Sequence, residues 1–311
     1  MPSYNHEKFI ADAIGSVLNQ TIEDFELIIV DDHSTDNSLE IINDYKDKNK
    51  KIRVIVNKEN KGIAKSVNDL KNLIRGKYVA YIASDDIWAE NKLEKQLKVL
   101  EKNEDLFVCS DGKIIDFKGR ITEESYIQKF YGKKRYSKRG NPTDELLTRN
   151  YIFGSSIILK RENIMDISLD ESLKYYYDYK FFVDLALKYN VYLIQEPLGK
   201  YRIHGSNLTQ FSSPTEEWIA EHILVRKYII KSHGDTISSK IKSINFAIIG
   251  YLYLECGRNK KAKKWFCQAI RLEPFSITNI YCLILSFSLF SFILKLPFLR
   301  KFNRFLHIIK M

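Results

Sequence analysis

Residues 25–32 read Phe-Glu-Leu-Ile-Ile-Val-Asp-Asp, and residues 78–86 read Tyr-Val-Ala-Tyr-Ile-Ala-Ser-Asp-Asp. Each is a short apolar run closed by a pair of aspartates. Runs of this length, rich in β-branched and aromatic side chains, predict buried strands. Between and around them the period changes. Phe9, Ile10, Ala13, Ile14, Val17 and Leu18 recur at three and four, which predicts an amphipathic helix over 7–19. After Asp32, Ser34 or Thr35 is placed to cap a helix reaching Tyr45. A second strand is expected at 52–56, a helix from Gly62 to Ile74, a helix over 91–103 and a strand near 106–110. Short apolar strands alternating with helices predict an α/β fold, with a largely parallel sheet covered on both faces. Ligands of such sheets bind beyond the carboxyl ends of the strands. Asp31-Asp32 and Asp85-Asp86 are therefore expected at one edge of one sheet.

Further along, residues 112–148 are charged and rich in Lys, Arg and Gly, and read as an exposed loop region. Strand character returns over 151–160, followed by a helix over 178–189 and a strand over 191–194. Past Ser213 the pattern is helical. Ala247, Gly250, Tyr251, Leu254, Gly257, Ala262, Phe266, Ala269 and Ile270 read as one helix–turn–helix ahead of Pro274, without a repeat array around it. The expected division is an α/β domain over 1–212 and a helical region over 213–311.

The chain has 311 residues, a net charge of +10 and 45% apolar residues, enough to bury a core and suited to anionic partners. Cys109, Cys256, Cys267 and Cys282 form no CxxC pair, so free thiols in a reducing compartment are expected, with no zinc site. No secretory signal opens the sequence. Residues 277–294 carry no charge, and Lys295, Arg300, Lys301, Arg304 and Lys310 follow with no acid among them. That pattern suits either peripheral contact of 277–311 with an anionic cytoplasmic leaflet or a buried final helix with a solvated basic tail.

The aspartate pairs are the candidate chemistry. Adjacent carboxylates after a strand suit a hard divalent cation such as Mg²⁺ or Mn²⁺, which takes oxygen ligands and shares them with phosphates and water. A solvated turn or a cap for the next helix would also use them. Asp31-Asp32 can accept hydrogen bonds from a nucleotide base or ribose, or supply a helix cap with an acidic first turn.

Four segments in order resemble glycosyltransferase family 2: Pro2-Ser3-Tyr4-Asn5, Ile29 to Asp36 (Ile-Val-Asp-Asp-His-Ser-Thr-Asp), Asn60-Lys61-Gly62-Ile63-Ala64, and Ala83-Ser84-Asp85-Asp86. The resemblance covers roughly residues 2–210. It implies the GT-A fold, a Rossmann-like mixed sheet, followed here by the helical extension. It also implies an inverting, metal-dependent transferase. By position, Tyr4 resembles the ring that stacks on the donor base, with Pro2 and Ser3 lining its pocket, and Asp32 the carboxylate that reads the base, commonly uracil. Asp85 matches the position near ribose and diphosphate, and Asp86 the principal metal ligand. Tyr177-Asp178-Tyr179-Lys180 is similar to the family's Glu-Asp-Tyr-Asp, which makes Asp178 the expected base and puts Tyr177 in place of an acid; a helix cap is the other use of Asp178. Arg202 and His204 match the segment after the last core strand, where they would contact the diphosphate or close over it. Where the family often has Arg, this sequence has Val67, and Lys65 is the expected replacement charge. The family's first core strand leads into the Pro-Ser-Tyr segment. Only Met1 precedes it here, so that strand is expected to be missing, as for a start placed too far downstream.

The expected reaction moves a sugar from a nucleotide-diphosphate donor, UDP-linked, to a hydroxyl of a saccharide or lipid-linked acceptor in surface-polysaccharide or glycolipid synthesis. The expected cofactor is Mn²⁺ or Mg²⁺. The expected location is cytoplasmic, at the inner face of the cell membrane. A nucleotidyltransferase would need a Gly-rich phosphate loop at the first strand, where Pro-Ser-Tyr-Asn stands. A non-catalytic binding protein is the other alternative, and no nucleic-acid motif supports a nucleic-acid partner.

Overall fold

The apolar run ending at Asp31 forms β2 (Leu27–Asp31), the middle strand of a three-stranded parallel sheet. Its neighbours are β1 (Pro2–Ser3) and β3 (Ile52–Val56). Pro2 and Ser3, expected as a loop, thus make a short strand. The Val30 N–H donates to the Met1 carbonyl at 2.9 Å and the Asp32 N–H to the Ser3 carbonyl at 2.8 Å. Proline is tolerated because β1 is an edge strand of this sheet, where its missing N–H removes no ladder bond. The first strand of the described chain is thus the two residues Pro2–Ser3.

The computed structural model describes residues 1–132, 142–205, 207, 214–232, 234, 236–277, 279, 280 and 283. Helix α1 (Ile10–Leu18) buries Ile10, Ala13, Ile14 and Val17, the stripe read from the sequence. Helix α2 begins at Ser38 and runs to Lys48, later than expected. The reason is local: the Ser34 hydroxyl donates to Asp31 Oδ1 at 2.6 Å, and the Thr35 N–H donates to Asn5 Oδ1 at 2.8 Å. Both residues serve the turn after β2 instead of capping α2. Helix α3 (Ile63–Leu70) follows Gly62, whose φ of 82° favours glycine.

The second sheet is mixed. Its order is β4 (Tyr78–Ala80), β8 (Ile158–Lys160), β6 (Leu106–Ile115), β9 (Asn190–Arg202), β5 (Ile87–Trp88), with β7 (Ile121–Glu123) on β6. Among the described residues of this sheet, β6 and β9 alone run parallel; the other pairs are antiparallel. The alternation that predicted a largely parallel sheet fails after Ala80. There β4 stops, and β5 pairs antiparallel with β9 without a helical crossover. The two aspartate pairs consequently close different sheets rather than one edge of one sheet. Between the sheets lies one core, in which Ile14, Ile29 and Ile42 meet Ile82, Trp88, Val108 and Ile158. Helix α4 (Lys92–Leu100) adds Leu93 and Leu100. Cys109, buried on β6, has its thiol pushed up to about 12 by burial and by Asp111.

The loop reading of 112–148 is corrected over its described part. Strand β6 continues to Ile115, β7 follows, and α5 (Tyr126–Tyr131) and α6 (Pro142–Thr148) are helical. Buried Asp111 explains the order: its carboxylate accepts from the N–H groups of Gly112 and Ile127 and from the Ser125 hydroxyl. It thereby turns the chain at a register shift in β6. Helices α7 (Arg161–Met165) and α8 (Tyr177–Lys188) complete this part.

The chain divides into two compact units, one of Met1–Thr143 with Tyr151–Gln210 and one of Asp144–Asn150 with Phe211–Met311. The second holds α9 (Glu216–Ser232), α10 (Ser239–Glu255) and α11 (Asn259–Leu272). Gly257, at φ 68°, turns α10 into α11, and Gly250 lies against Phe266, whose ring would meet an added Cβ at 2.6 Å. Buried Arg226 donates to the Thr148 carbonyl at 2.7 Å and Asn245 Nδ2 to the Leu147 carbonyl at 3.0 Å, which ties the 144–150 segment to these helices. No helix among the described residues is long and apolar enough to cross a membrane. Most of the apolar segment 277–294 and all of the basic tail lie outside the described residues.

Candidate active site

Strands β1 and β2 both end in left-handed backbone at residues other than glycine, Asn5 at φ 52° and His33 at φ 66°. Such conformations cost free energy and are held by specific partners. Asn5 is held from both sides: its N–H donates to Ser34 Oγ at 3.0 Å, and its side-chain oxygen takes the Thr35 N–H. This turn aims the next residue, His6, across to the second sheet. There His6 Nδ1 lies 2.7 Å from Ser84 Oγ.

The aspartate pair after β2 is buried and internally satisfied. Asp31 accepts from the Ser34 N–H and hydroxyl. Asp32 accepts from Asn57 Nδ2, the Lys61 and Gly62 N–H groups and the Ser66 hydroxyl, all at 2.8–3.0 Å. Burial alone would raise the Asp32 pKa, but these four donors outweigh it and hold the carboxyl below its ordinary range. Of the three residues expected in the donor pocket at β1, Pro2 and Ser3 are buried and Tyr4 is 41% exposed. Lys65 is half-exposed and lies within ion-pair reach of Asp69 and Glu171.

The pair after β4 is arranged differently. Asp86 is buried, with Oδ1 accepting the Arg202 N–H at 3.0 Å and Oδ2 the Ser155 hydroxyl at 2.5 Å. Burial and neighbouring Asp85 push its pKa well up. Both oxygens of the expected metal ligand are thus occupied by protein donors. Asp85 instead turns its carboxylate to His204, with Oδ2 3.0 Å from Nε2. Donor atoms of His6, Asp85 and His204 lie within 4.8 Å of one another, a set that fits a divalent cation. Burial keeps the His6 pKa below its ordinary value, against the pull of Asp85.

Arg202, expected on a diphosphate, is spent inside the protein. Its guanidinium donates to the Asp85 carbonyl at 2.9 Å, the Phe117 carbonyl at 3.3 Å and Asp12 at 2.9 Å, and lies over the Phe9 ring. His204 packs on the same ring, 4.6 Å between centroids. These contacts fix the end of β9 against the Asp85-Asp86 turn.

Asp178 is in the first turn of α8, past the N-cap position, which Tyr176 occupies. The cap alternative is therefore not realised; the carboxylate accepts the N–H of Tyr179 at 2.5 Å. Burial raises its pKa to about 6. Its surroundings connect it to the other carboxylates. Burial, then Tyr177, Asp85, Asp86 and Asp178, raise the phenol of Tyr81, and Tyr126 feels both Asp178 and Asp86. Asp178 and the Asp85-Asp86 turn thus act electrostatically on the same phenol, that of Tyr81.

Sequence reasoning missed His6 and Ser155. His6 becomes meaningful only once the Asn5 turn is known. Ser155 sits in a short helical turn, Gly154–Ser156, within a stretch read as strand.

Residues 1–163, just over half of the chain, match the sequence profile of glycosyl transferase family 2. The chain belongs to this family. Among similar proteins, a Methanocaldococcus jannaschii glycosyltransferase is 36% identical over 209 residues, 65% of this chain and 69% of the relative. The Bacillus subtilis glycosyltransferase TuaG, named for teichuronic acid biosynthesis, is 27% identical over 246 residues, 74% of this chain and 89% of the relative. Among solved structures, Staphylococcus aureus TarS in complex with UDP-GlcNAc superposes with a TM-score of 0.63 at 16% identity, covering 92% of this chain and 88% of that one. The glycosyltransferase fold here is accordingly GT-A, and the helical extension follows it.

Proposed function

We propose that the protein is an inverting, metal-dependent glycosyltransferase that takes a sugar from a UDP-linked donor and passes it to a saccharide or lipid-linked hydroxyl in surface-polysaccharide synthesis. The observation that carries this reading is the facing of Asp85 and His204 at 3.0 Å, with burial first, then both Asp85 and buried Asp178, raising the phenols of Tyr81 and Tyr177.

Tyr4 offers an exposed ring for the donor base, a contact worth roughly 1–3 kcal/mol. Asp32 acts through the loop it holds, fixing Lys61 and Gly62 beside that ring's strand. Asp85, with the imidazoles facing it, would hold the cation, and Arg202, which donates to the Asp85 carbonyl and to the Asp86 carboxylate, fixes that turn. The chemistry supplied by a divalent cation there is neutralisation of the charge on the departing nucleoside diphosphate. Asp178 takes the proton from the acceptor hydroxyl; a pKa near 6 suits a base that must be ionised at neutral pH and still bind a proton. One base and one displacement give inversion at the anomeric carbon. TuaG, a relative named for teichuronic acid biosynthesis, supports the polysaccharide setting. A peripheral position at the inner membrane face is supported by the apolar 277–294 segment and its basic tail.

The test is a panel of nucleotide sugars incubated with the full chain, acceptor and Mn²⁺, with the product anomer read by NMR. UDP-sugar turnover with inversion, abolished in Asp178→Asn, is the expected result. Retention of configuration, or full turnover in Asp178→Asn, sinks the mechanism.

A further inference from the structure

His6, Asp85 and His204 come from three distant stretches of chain. His6 and Ser84 are 78 residues apart, and Asp85 and His204 are 119 apart. Nothing in the fold requires two imidazoles to face one carboxylate. The GT-A frame is already closed by the β6–β9 pair and by Arg202.

We propose that His6 is the third protein ligand of the cation held by Asp85 and His204, and that this two-imidazole, one-carboxylate set selects a first-row transition ion over Mg²⁺. The proposal rests on the transferase reading only for the purpose of the cation; the ligand set and its preference follow from the residues themselves.

Three observations carry it. First, one donor atom from each side chain lies within 4.8 Å of the other two. The Asp85–His204 separation of 3.0 Å matches two cis ligands of one ion, since donors each about 2.1 Å away at right angles lie about 3 Å apart. Second, the rings are oriented by other groups. Ser84 Oγ meets His6 Nδ1 at 2.7 Å, which leaves Nε2 for the ion, and the two imidazoles stand edge to face at 5.6 Å. The His204 ring packs on Phe9, and the backbone N–H of the same residue donates to Asn207 Oδ1 at 2.6 Å, which holds the chain that carries the ring. Orientation of ligating imidazoles by a second layer of contacts is the usual companion of a metal site. Third, the chemistry discriminates between ions. Mg²⁺ demands near-ideal octahedral oxygen coordination and gives up water reluctantly, whereas imidazole nitrogen suits transition ions. Ligation by Asp86 would not supply this preference, and its oxygens are occupied by Ser155 and Arg202.

The experiment uses the full chain without donor or acceptor. Mn²⁺ is titrated in, and the free-ion signal is followed by electron paramagnetic resonance. The expected result is one equivalent bound, displaced by equimolar Co²⁺ but not by a roughly 100-fold excess of Mg²⁺. His6→Gln is expected to weaken Mn²⁺ binding at least about tenfold with an unchanged melting temperature. His6→Asp, which returns a ligand oxygen, is expected to restore Mn²⁺ binding and to let Mg²⁺ compete. If His6→Gln also lowers the melting temperature, His6→Asp decides: restored Mn²⁺ binding supports the proposal and absent binding overturns it. Equal Mn²⁺ affinity in the parent and His6→Gln, or Mg²⁺ competing at parity in the parent, also overturns it. Because no nucleotide sugar is present, failure of the transferase reading would appear as absent donor turnover with Mn²⁺ binding intact.

Discussion

The turns at Asp31-Asp32 and Asp85-Asp86 share a dipeptide and a position after a β-strand, yet they are built oppositely. The four donors that hold Asp32 lie 25 to 34 residues away, all within the segment that runs from β3 into α3. The second turn draws its partners from much further: Ser155 is 69 residues from Asp86, the Arg202 N–H is 116 away, and His204 is 119 from Asp85. Local donors saturate a carboxylate and make it a scaffold. Remote partners come from other elements of the fold, and they bring an imidazole to the Asp85 carboxylate. On the proposed mechanism, what separates a structural from a chemical aspartate is the origin of the partners, not the motif.

Substituting the two turns tests this division most strongly. Asp85→Ala should lower transfer on the order of 10³-fold while moving the urea midpoint by less than the equivalent of about 1 kcal/mol. Asp32→Ala should do the reverse in kind, destabilising the fold by about 3 kcal/mol because four donors lose their acceptor. Equal stability losses in the two variants would erase the distinction. Next in size is Asp178→Asn, expected to cost at least about 10²-fold in kcat without loss of Mn²⁺ binding, since the residue is not among the clustered donors His6, Asp85 and His204.

The pH profile sharpens the same point at smaller amplitude. Burial raises Asp178 to about 6, so transfer should climb about tenfold per pH unit below that value and level off above it. The sign for stability is opposite. The native state holds this proton more tightly than the unfolded chain does. Its contribution is therefore complete below the ordinary carboxylate range and is lost as pH rises through about 6. Urea midpoints of the parent and Asp178→Asn across that window should diverge accordingly. Ser155→Ala, which removes a donor to buried Asp86, should cost about 1–2 kcal/mol and reduce Mn²⁺ affinity only indirectly. Smallest of all, Lys65→Ala removes half-exposed ion pairs and should change stability by under about 1 kcal/mol in thermal melts.

The sequence was most informative where structure is local. The stripe of α1, the β2 and β3 runs and the α8 helix are visible as periodicity because each depends on neighbours a few residues away. Residues 112–148 misled because their order hangs on Asp111, whose carboxylate reaches Ser125 and the Ile127 N–H, and no periodicity records such a bond. The sheet's change from parallel to mixed was hidden for a related reason: β5 is only two residues long and its partner lies in β9. At the site, the aspartates stood out in the sequence, but which oxygen is occupied and which faces outward depends on residues 154–156 and 202–204.

Arg202 and His204 give the site a place in time. Closing a loop of more than a hundred residues is entropically slower and costlier than closing one of thirty. The Asp32 scaffold can therefore form as soon as residues up to about Ser66 are available. The Asp85-Asp86 turn must wait until β9 has been made and has paired with β6. During synthesis the first sheet matures early, while the carboxylates of the second turn remain unassembled until the last strand of the unit arrives. A nascent chain halted before Arg202 would carry the motif without the site.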